Sequence, residues 1–139
     1  MIKQISVFME NRSGRLNHLL KILTDHNINI CSLSIADTGE YGIARLIVDA
    51  HEKAMQAIKE NGMSACDTDV MAIEVDNTPG SLYAATKLLA DNDINVEYAY
   101  SALPANGGNK ATIIIRVDDQ PKALQVIDAS SHANVVQKL

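Results

Sequence analysis

Asn11-Arg12-Ser13-Gly14-Arg15-Leu16 and, 66 residues further on, Asn77-Thr78-Pro79-Gly80-Ser81-Leu82 are two versions of one stretch of chain. Asn27-Ile28-Asn29-Ile30 and Asp93-Ile94-Asn95-Val96 recur at the same spacing. A constant offset held through a loop, a helix-length segment and a strand start marks an internal duplication. Its period is longer than the roughly 20–50 residues of solenoid repeats, so each copy is a small domain rather than a stacking unit. The 139 residues therefore divide into two domains, 1–68 and 69–139. A domain of about 70 residues removes only about 60% of its unfolded surface from water, so the copies are expected to pack on each other or on another chain.

Outward from the first loop, Ile2 to Met9 reads as a strand that ends at the polar turn Glu10 to Ser13. Leu16, Leu19, Leu20 and Leu23 recur at helical spacing, and Asp25-His26-Asn27 closes that helix. Ile28, Ile30, Leu33 and Ile35 mark a second strand, Asp37 to Gly42 a turn, and Ala44, Leu46 and Val48 a third strand, which together make a hairpin. Asp49, three residues before Glu52, resembles a capping box for a helix from Ala50 to the stop at Asn61-Gly62. A short strand around Ser64 to Cys66 closes the copy, and Asp67-Thr68-Asp69 reads as a solvated linker.

The second copy repeats the order. Val70 to Val75 is a strand, Leu82, Ala85, Leu88 and Leu89 a helix, and Ile94 to Ala102 with Ala111 to Val117 a hairpin. Pro121 suits the first turn of the last helix, with Asp118 and Asp119 as its caps, and Val135 and Val136 mark a closing strand. The offset grows to 69 between Ala54 and Ala123, so three residues are added between the middle strands, at the Gly107-Gly108 tip. The fold class is α+β: two ferredoxin-like βαββαβ units, each an antiparallel sheet with both helices on one face. Side-by-side pairing would make one eight-stranded sheet.

Twelve basic against 17 acidic residues, with no basic run, argue against nucleic acid and anionic membrane as partners. The absence of a long apolar run and the two widely separated cysteines, Cys31 and Cys66, read as buried reduced thiols, predict a cytoplasmic protein. His18, His26, His51 and His132 lack metal-ligand spacing, Gly107-Gly108 lacks the lysine of a phosphate loop, and Ser32, Ser34 and Ser101 lack a nucleophile elbow. No catalytic pair is present, so an enzyme is not expected.

A strand, then Asn-x-x-Gly-x-Leu entering a helix, then Asn-Ile-Asn-Ile opening the next strand, resembles the ACT domain, and the resemblance covers the chain as two tandem copies. It implies a stand-alone allosteric regulatory protein that binds a small molecule, most often an amino acid, with no cofactor and no metal. In amino-acid-binding members the ligand sits at the interface of paired domains, between the loop before the first helix of one and the second strand's start in the other. Carried over, this marks Asn11, Ser13, Gly14, Arg15, Leu16, Asn29 and Ile30 in the first copy. In the second it marks Asn77, Pro79, Gly80, Ser81, Leu82, Asn95 and Val96. The chain departs from some binders in having Met9 and Val75 where they carry a histidine, and Ser13 stands where the second copy has Pro79. A separate metabolic enzyme is the implied macromolecular partner, and the open sheet edge of each copy leads to the expectation of a homodimer. The alternatives are the regulatory small subunit of an acetohydroxyacid-synthase-like enzyme and a dimerisation module without ligand.

The residue chemistry suits a zwitterion. Unpaired N–H groups at a helix start attract a carboxylate, and an asparagine amide can both accept from an ammonium and donate to a carboxylate. A structural reading stands beside this one: the loop asparagines stabilise the turn, Asn29 and Asn95 bond backbone at a strand end, and the glycines allow close packing of helix on sheet.

Overall fold

Along the first strand, β1 (Ile2–Glu10), Ile5, Val7 and Met9 point into a core and alternate with Gln4, Ser6 and Phe8. That period of two makes one face of a sheet apolar, and helices cover it. The computed structural model describes residues 1–103 and 108–139, and Gly107 of the expected hairpin tip lies outside the described residues. The chain divides into two compact units, Lys3–Thr68 and Asp69–Leu139 together with Met1–Ile2.

In the Lys3–Thr68 unit, β1 is followed by α1 (Arg15–Asp25), β2 (Ile30–Asp37), β3 (Tyr41–Val48) and α2 (His51–Glu60). The strands are antiparallel in the order β2-β3-β1, with Ile5 opposite Leu46 and Leu33 opposite Leu46 on the other side. Leu19, Ile22 and Leu23 of α1 and Ala54, Met55, Ala57 and Ile58 of α2 close over Ile5, Val7, Met9, Ala44, Leu46 and Val48. The helical and strand periods thus meet in one core.

The second unit repeats this with α3 (Ser81–Asp91), β5 (Val96–Ser101), β6 (Lys110–Val117), α4 (Gln120–Asp128) and β7 (Asn134–Val136). Its opening strand belongs to β4 (Ser64–Asp76), flanked by β6 on one side and β7 on the other, both antiparallel. Met71, Ile73 and Val75 face Ala85, Leu89, Ala123 and Ile127. Both units are ferredoxin-like, as expected.

Five expectations are corrected. The described residues hold seven strands rather than eight, because β4 runs without a break from Ser64 to Asp76. Asp67-Thr68-Asp69 lies within β4 and is strand, not linker, and each member has a polar partner beside it. The His51 imidazole pairs with Asp67, the Thr68 hydroxyl meets that of Ser6 at 3.2 Å, and Asp69 O accepts from Arg116 and Gln120. Neither cysteine is buried: Cys31 is intermediate and Cys66 exposed. Asp49 does not cap α2, whose N-cap is Ala50 without a side-chain bond; at the matching position of the second copy Asp119 accepts from Lys122 N. Asp118 likewise caps nothing and is the counterpart of Asp49.

Each first helix ends in the same way. Asn27 and Asp93 adopt positive φ, 54° and 58°, a conformation that a short polar side chain tolerates better than most. The N–H of the next residue then reaches back five residues, Ile28 to Leu23 O and Ile94 to Leu89 O, both at 2.9 Å. Asn27 N reaches Thr24 O and Asp93 N reaches Ala90 O, completing a Schellman closure in both copies. Ile28 and Ile94 are thereby driven into the cores, and the chain is aimed at the next strand. No helix among the described residues is long and apolar enough to cross a membrane.

Candidate functional site

Gly14 and Gly80 open their helices in one conformation, φ 86° ψ −12° and φ 87° ψ −9°. A Cβ built on either glycine meets nothing within 4 Å, so close packing of helix on sheet is not their role. The left-handed backbone is what calls for glycine. Neither helix receives a side-chain cap or an acidic residue in its first turn, so the positive end of each helix is left uncompensated by the chain. Arg15 begins α1, and its Nε is buried without a hydrogen-bond partner among the described residues. Ser81 takes the same place in α3, where its hydroxyl lies 2.7 Å from that of Thr78.

The loops are pinned to the hairpins. Asn11 N donates to Glu40 O at 2.8 Å, and Asn77 N donates to Asn109 O at 2.7 Å. Asn11 also donates its side-chain Nδ2 to Gly39 O at 2.9 Å, so its amide holds the turn, in agreement with the structural reading for that residue. Met9 and Val75, two residues before the loop asparagines, point into the cores.

Asn29 and Asn95 are exposed, and their backbones are held identically. Asn29 N donates to Asp49 Oδ1 and Asn95 N to Asp118 Oδ1, both at 3.0 Å. Asp49 N and Asp118 N donate back to Asn29 O and Asn95 O, both at 3.1 Å. The side-chain amides of Asn29 and Asn95 have no hydrogen-bond partner among the described residues, and Ile30 and Val96 follow at half-buried positions. The Cys31 thiol, next along β2, is held above its usual range, first by burial and then by the Asp49 carboxylate.

Within one copy the two halves of the expected site do not meet. Eleven residues of α1 or α3 separate the glycine loop from the strand start, a span of about 16 Å at 1.5 Å per residue. In the second unit, Pro79, Gly80 and Ser81 line a hollow of about 290 Å³ with Asp76, Ala84, Ser131 and His132. Asn95 and Val96 line a different one of about 560 Å³ with Tyr83, Thr86, Lys87 and Asp91. Ser131 and His132 were not legible as neighbours of Gly80, because only the return of the chain after α4 brings them there.

These features define a class: a duplicated βαββαβ protein whose two copies carry matching glycine loops and matching clamped asparagines. A family model described as an ACT domain pair matches residues 1–138, and the chain belongs to that family. A solved structure of a protein from Bacteroides thetaiotaomicron is 36% identical, with a TM-score of 0.89 over 97% of this chain and 91% of that one. The ligand-free regulatory subunit of aspartate kinase from Thermus thermophilus is 17% identical, with a TM-score of 0.67 over 93% of this chain and 91% of that one. The corresponding subunit from Thermus flavus is 16% identical, with a TM-score of 0.62 over 89% and 88%. The two Thermus proteins share the fold with this chain. No curated protein matches it.

Proposed function

We propose that this chain is a regulatory protein that binds a free amino acid between the glycine loop of one ACT copy and the strand-start asparagine of another, in the same chain or a second one. The carrying observation is that both copies keep an uncapped helix start behind a left-handed glycine and, at the far end of that helix, an exposed asparagine with an unengaged amide. An amino acid is far shorter than the roughly 16 Å between those ends, so it can touch both kinds only by joining two copies. Hydrogen bonds to charged groups contribute about 1.5–3 kcal/mol each, and several of them support micromolar affinity. Ser13, Arg15 and Leu16 in one copy, and Asn77, Pro79, Ser81 and Leu82 in the other, surround the loop half of the site.

Binding selects the arrangement that completes the site, and a ligand shifts that equilibrium only by its differential affinity for the two states. The receiver of the signal is a separate metabolic enzyme. The Thermus thermophilus relative, a regulatory subunit of the same fold over 91% of its length, supports that mode of action. Thermal unfolding against the twenty amino acids tests the reading. A ligand at 100 times its Kd adds about 2.7 kcal/mol and raises the midpoint by several degrees. No shift from any of them sinks the free-amino-acid reading. With a ligand in hand, Asn29→Ala combined with Asn95→Ala weakens it, and undiminished affinity moves the site elsewhere.

A further inference from the structure

Position by position, α1 and α3 agree on the side that faces their cores and part company on the flank beside it. Leu19 and Leu23 of α1 match Ala85 and Leu89 of α3, and all four are buried. On the flank, the exposed polar residues Asn17 and Thr24 of α1 give way to Tyr83 and Ala90 in α3. Leu16 packs against the core of its unit, whereas its counterpart Leu82 is 41% exposed and the neighbouring Tyr83 67% exposed. Only Leu20, replaced by Thr86, runs the other way. Large apolar side chains left open side by side mark a contact surface.

The shape of that surface says what covers it. Leu82, Thr86 and Ala90 follow one another four residues apart with Tyr83 alongside, so they form one stripe along α3, bulky at its N-terminal end and shallow at its C-terminal end. At the shallow end a hollow of about 560 Å³ opens between Thr86, Ala90 and the chain from Ile94 to Val96. Such a stripe fits itself when reversed. An antiparallel α3 from a second chain lays Leu82 and Tyr83 into the hollow beside Ala90, and a two-fold axis repeats the fit. Lys87, which borders the stripe, is paired with Asp91 of the same helix at 2.6 Å, so no unbalanced charge is brought to the axis. A specific interface takes about 800 Å² from each partner, more than the flank of one 11-residue helix supplies, so the contact extends to β5, the last strand of the sheet on that side.

We infer that the α3 flank, with the β5 side of the sheet, is the surface through which two chains of this protein associate, α3 antiparallel to α3, with Tyr83 of each chain on Ala90 of the other. The homodimer is thereby assigned to the second copy, and the α1 flank stays outside the contact. The inference stands without the amino-acid reading. Where an amino acid does bind, the reversed pairing sets the Gly80 loop of one chain beside the Asn95 end of the other.

Sedimentation of the full chain is expected to show a dimer at micromolar concentration. Ala90→Arg is expected to raise its dissociation constant about thirtyfold or more, since a charge then stands in the apolar contact. Thr24→Arg, at the matching place of α1, leaves it unchanged. Residues 24 and 90 are both exposed, so the thermal midpoints of the two variants stay near that of the wild type. Cross-linking gives a second reading that does not depend on weakening the dimer. With Cys31→Ser and Cys66→Ser in the background, Tyr83→Cys/Ala90→Cys is expected to form a covalent dimer when oxidised with diamide. On one helix those two positions are about 10 Å apart, beyond disulfide range, so only the pairing of two chains joins them. A monomeric wild type, a dimer that survives Ala90→Arg intact, or a failure to cross-link overturns the inference. None of these outcomes bears on the amino-acid reading, which the thermal panel decides.

Discussion

Asn29 and Asp49 bond to each other twice: Asn29 N donates to Asp49 Oδ1 at 3.0 Å, and Asp49 N donates to Asn29 O at 3.1 Å. Asn95 and Asp118 repeat both bonds at the same distances at the corresponding positions of the second copy. The pair ties the end of the third strand of each copy to the start of its second. It sets where the asparagine side chain stands.

Removing the carboxylate frees that start. In Asp49→Ala the Asn29 amide is expected to exchange its hydrogen about tenfold faster, as befits loss of a bond to a charged acceptor. The Asn95 amide, held by Asp118, serves as the internal control. Equal exchange before and after the substitution, followed by NMR, shows that the clamp does not hold in solution.

Gly14→Ala and Gly80→Ala are each expected to destabilise their unit by about 1–2 kcal/mol in chemical denaturation. The cost is conformational, since a Cβ at either place has open space around it. Gly14→Asn costs less, because asparagine visits the left-handed region more readily. If alanine were neutral, the left-handed loop would be wrong.

The two second helices differ at one position in a way that can be exchanged. Asp119→Ala removes the side-chain bond to Lys122 N and is expected to cost about 1 kcal/mol. Ala50→Asp gives α2 the cap it lacks and is expected to gain up to about 1 kcal/mol, read as a higher denaturation midpoint. A lower midpoint for Ala50→Asp means that repulsion from Asp49 outweighs the cap.

Thiol labelling separates the cysteines. Cys66 is exposed and is expected to react first, whereas Cys31 is part-buried, with its thiol held up by burial and by the Asp49 carboxylate. A raised thiol pKa leaves less thiolate at neutral pH, so labelling of Cys31 overtakes its neutral-pH rate only as pH rises past the ordinary thiol range. Asp49→Asn is expected to speed Cys31 labelling at fixed pH. An unaltered rate removes the carboxylate from the account of that thiol.

The order of elements was legible because each copy is locally consistent. The leucines of α1 repeat at helical period, Ile5, Val7 and Met9 alternate, and a duplicated loop gives each assignment a second witness. The glycine loops were legible as well, though not the reason for them. Only the backbone angle, with open space where a Cβ would go, separates a conformational need from a packing one.

What the tertiary structure alone decided are matters of who stands beside whom. Asp67-Thr68-Asp69 looks like a linker until β4 carries it past His51, Ser6 and Arg116, when its polar groups find partners within a strand. Asp49 looks like a cap, but the third strand ends next to Asn29, 20 residues earlier in the chain, and the nearer donor takes the carboxylate. Local periodicity is written in neighbouring residues, so the sequence by itself determined two ferredoxin-like copies and the positions of their loops. Hydrogen-bond partners far apart in the chain depend on how strands are laid side by side, and no spacing along the sequence carries that.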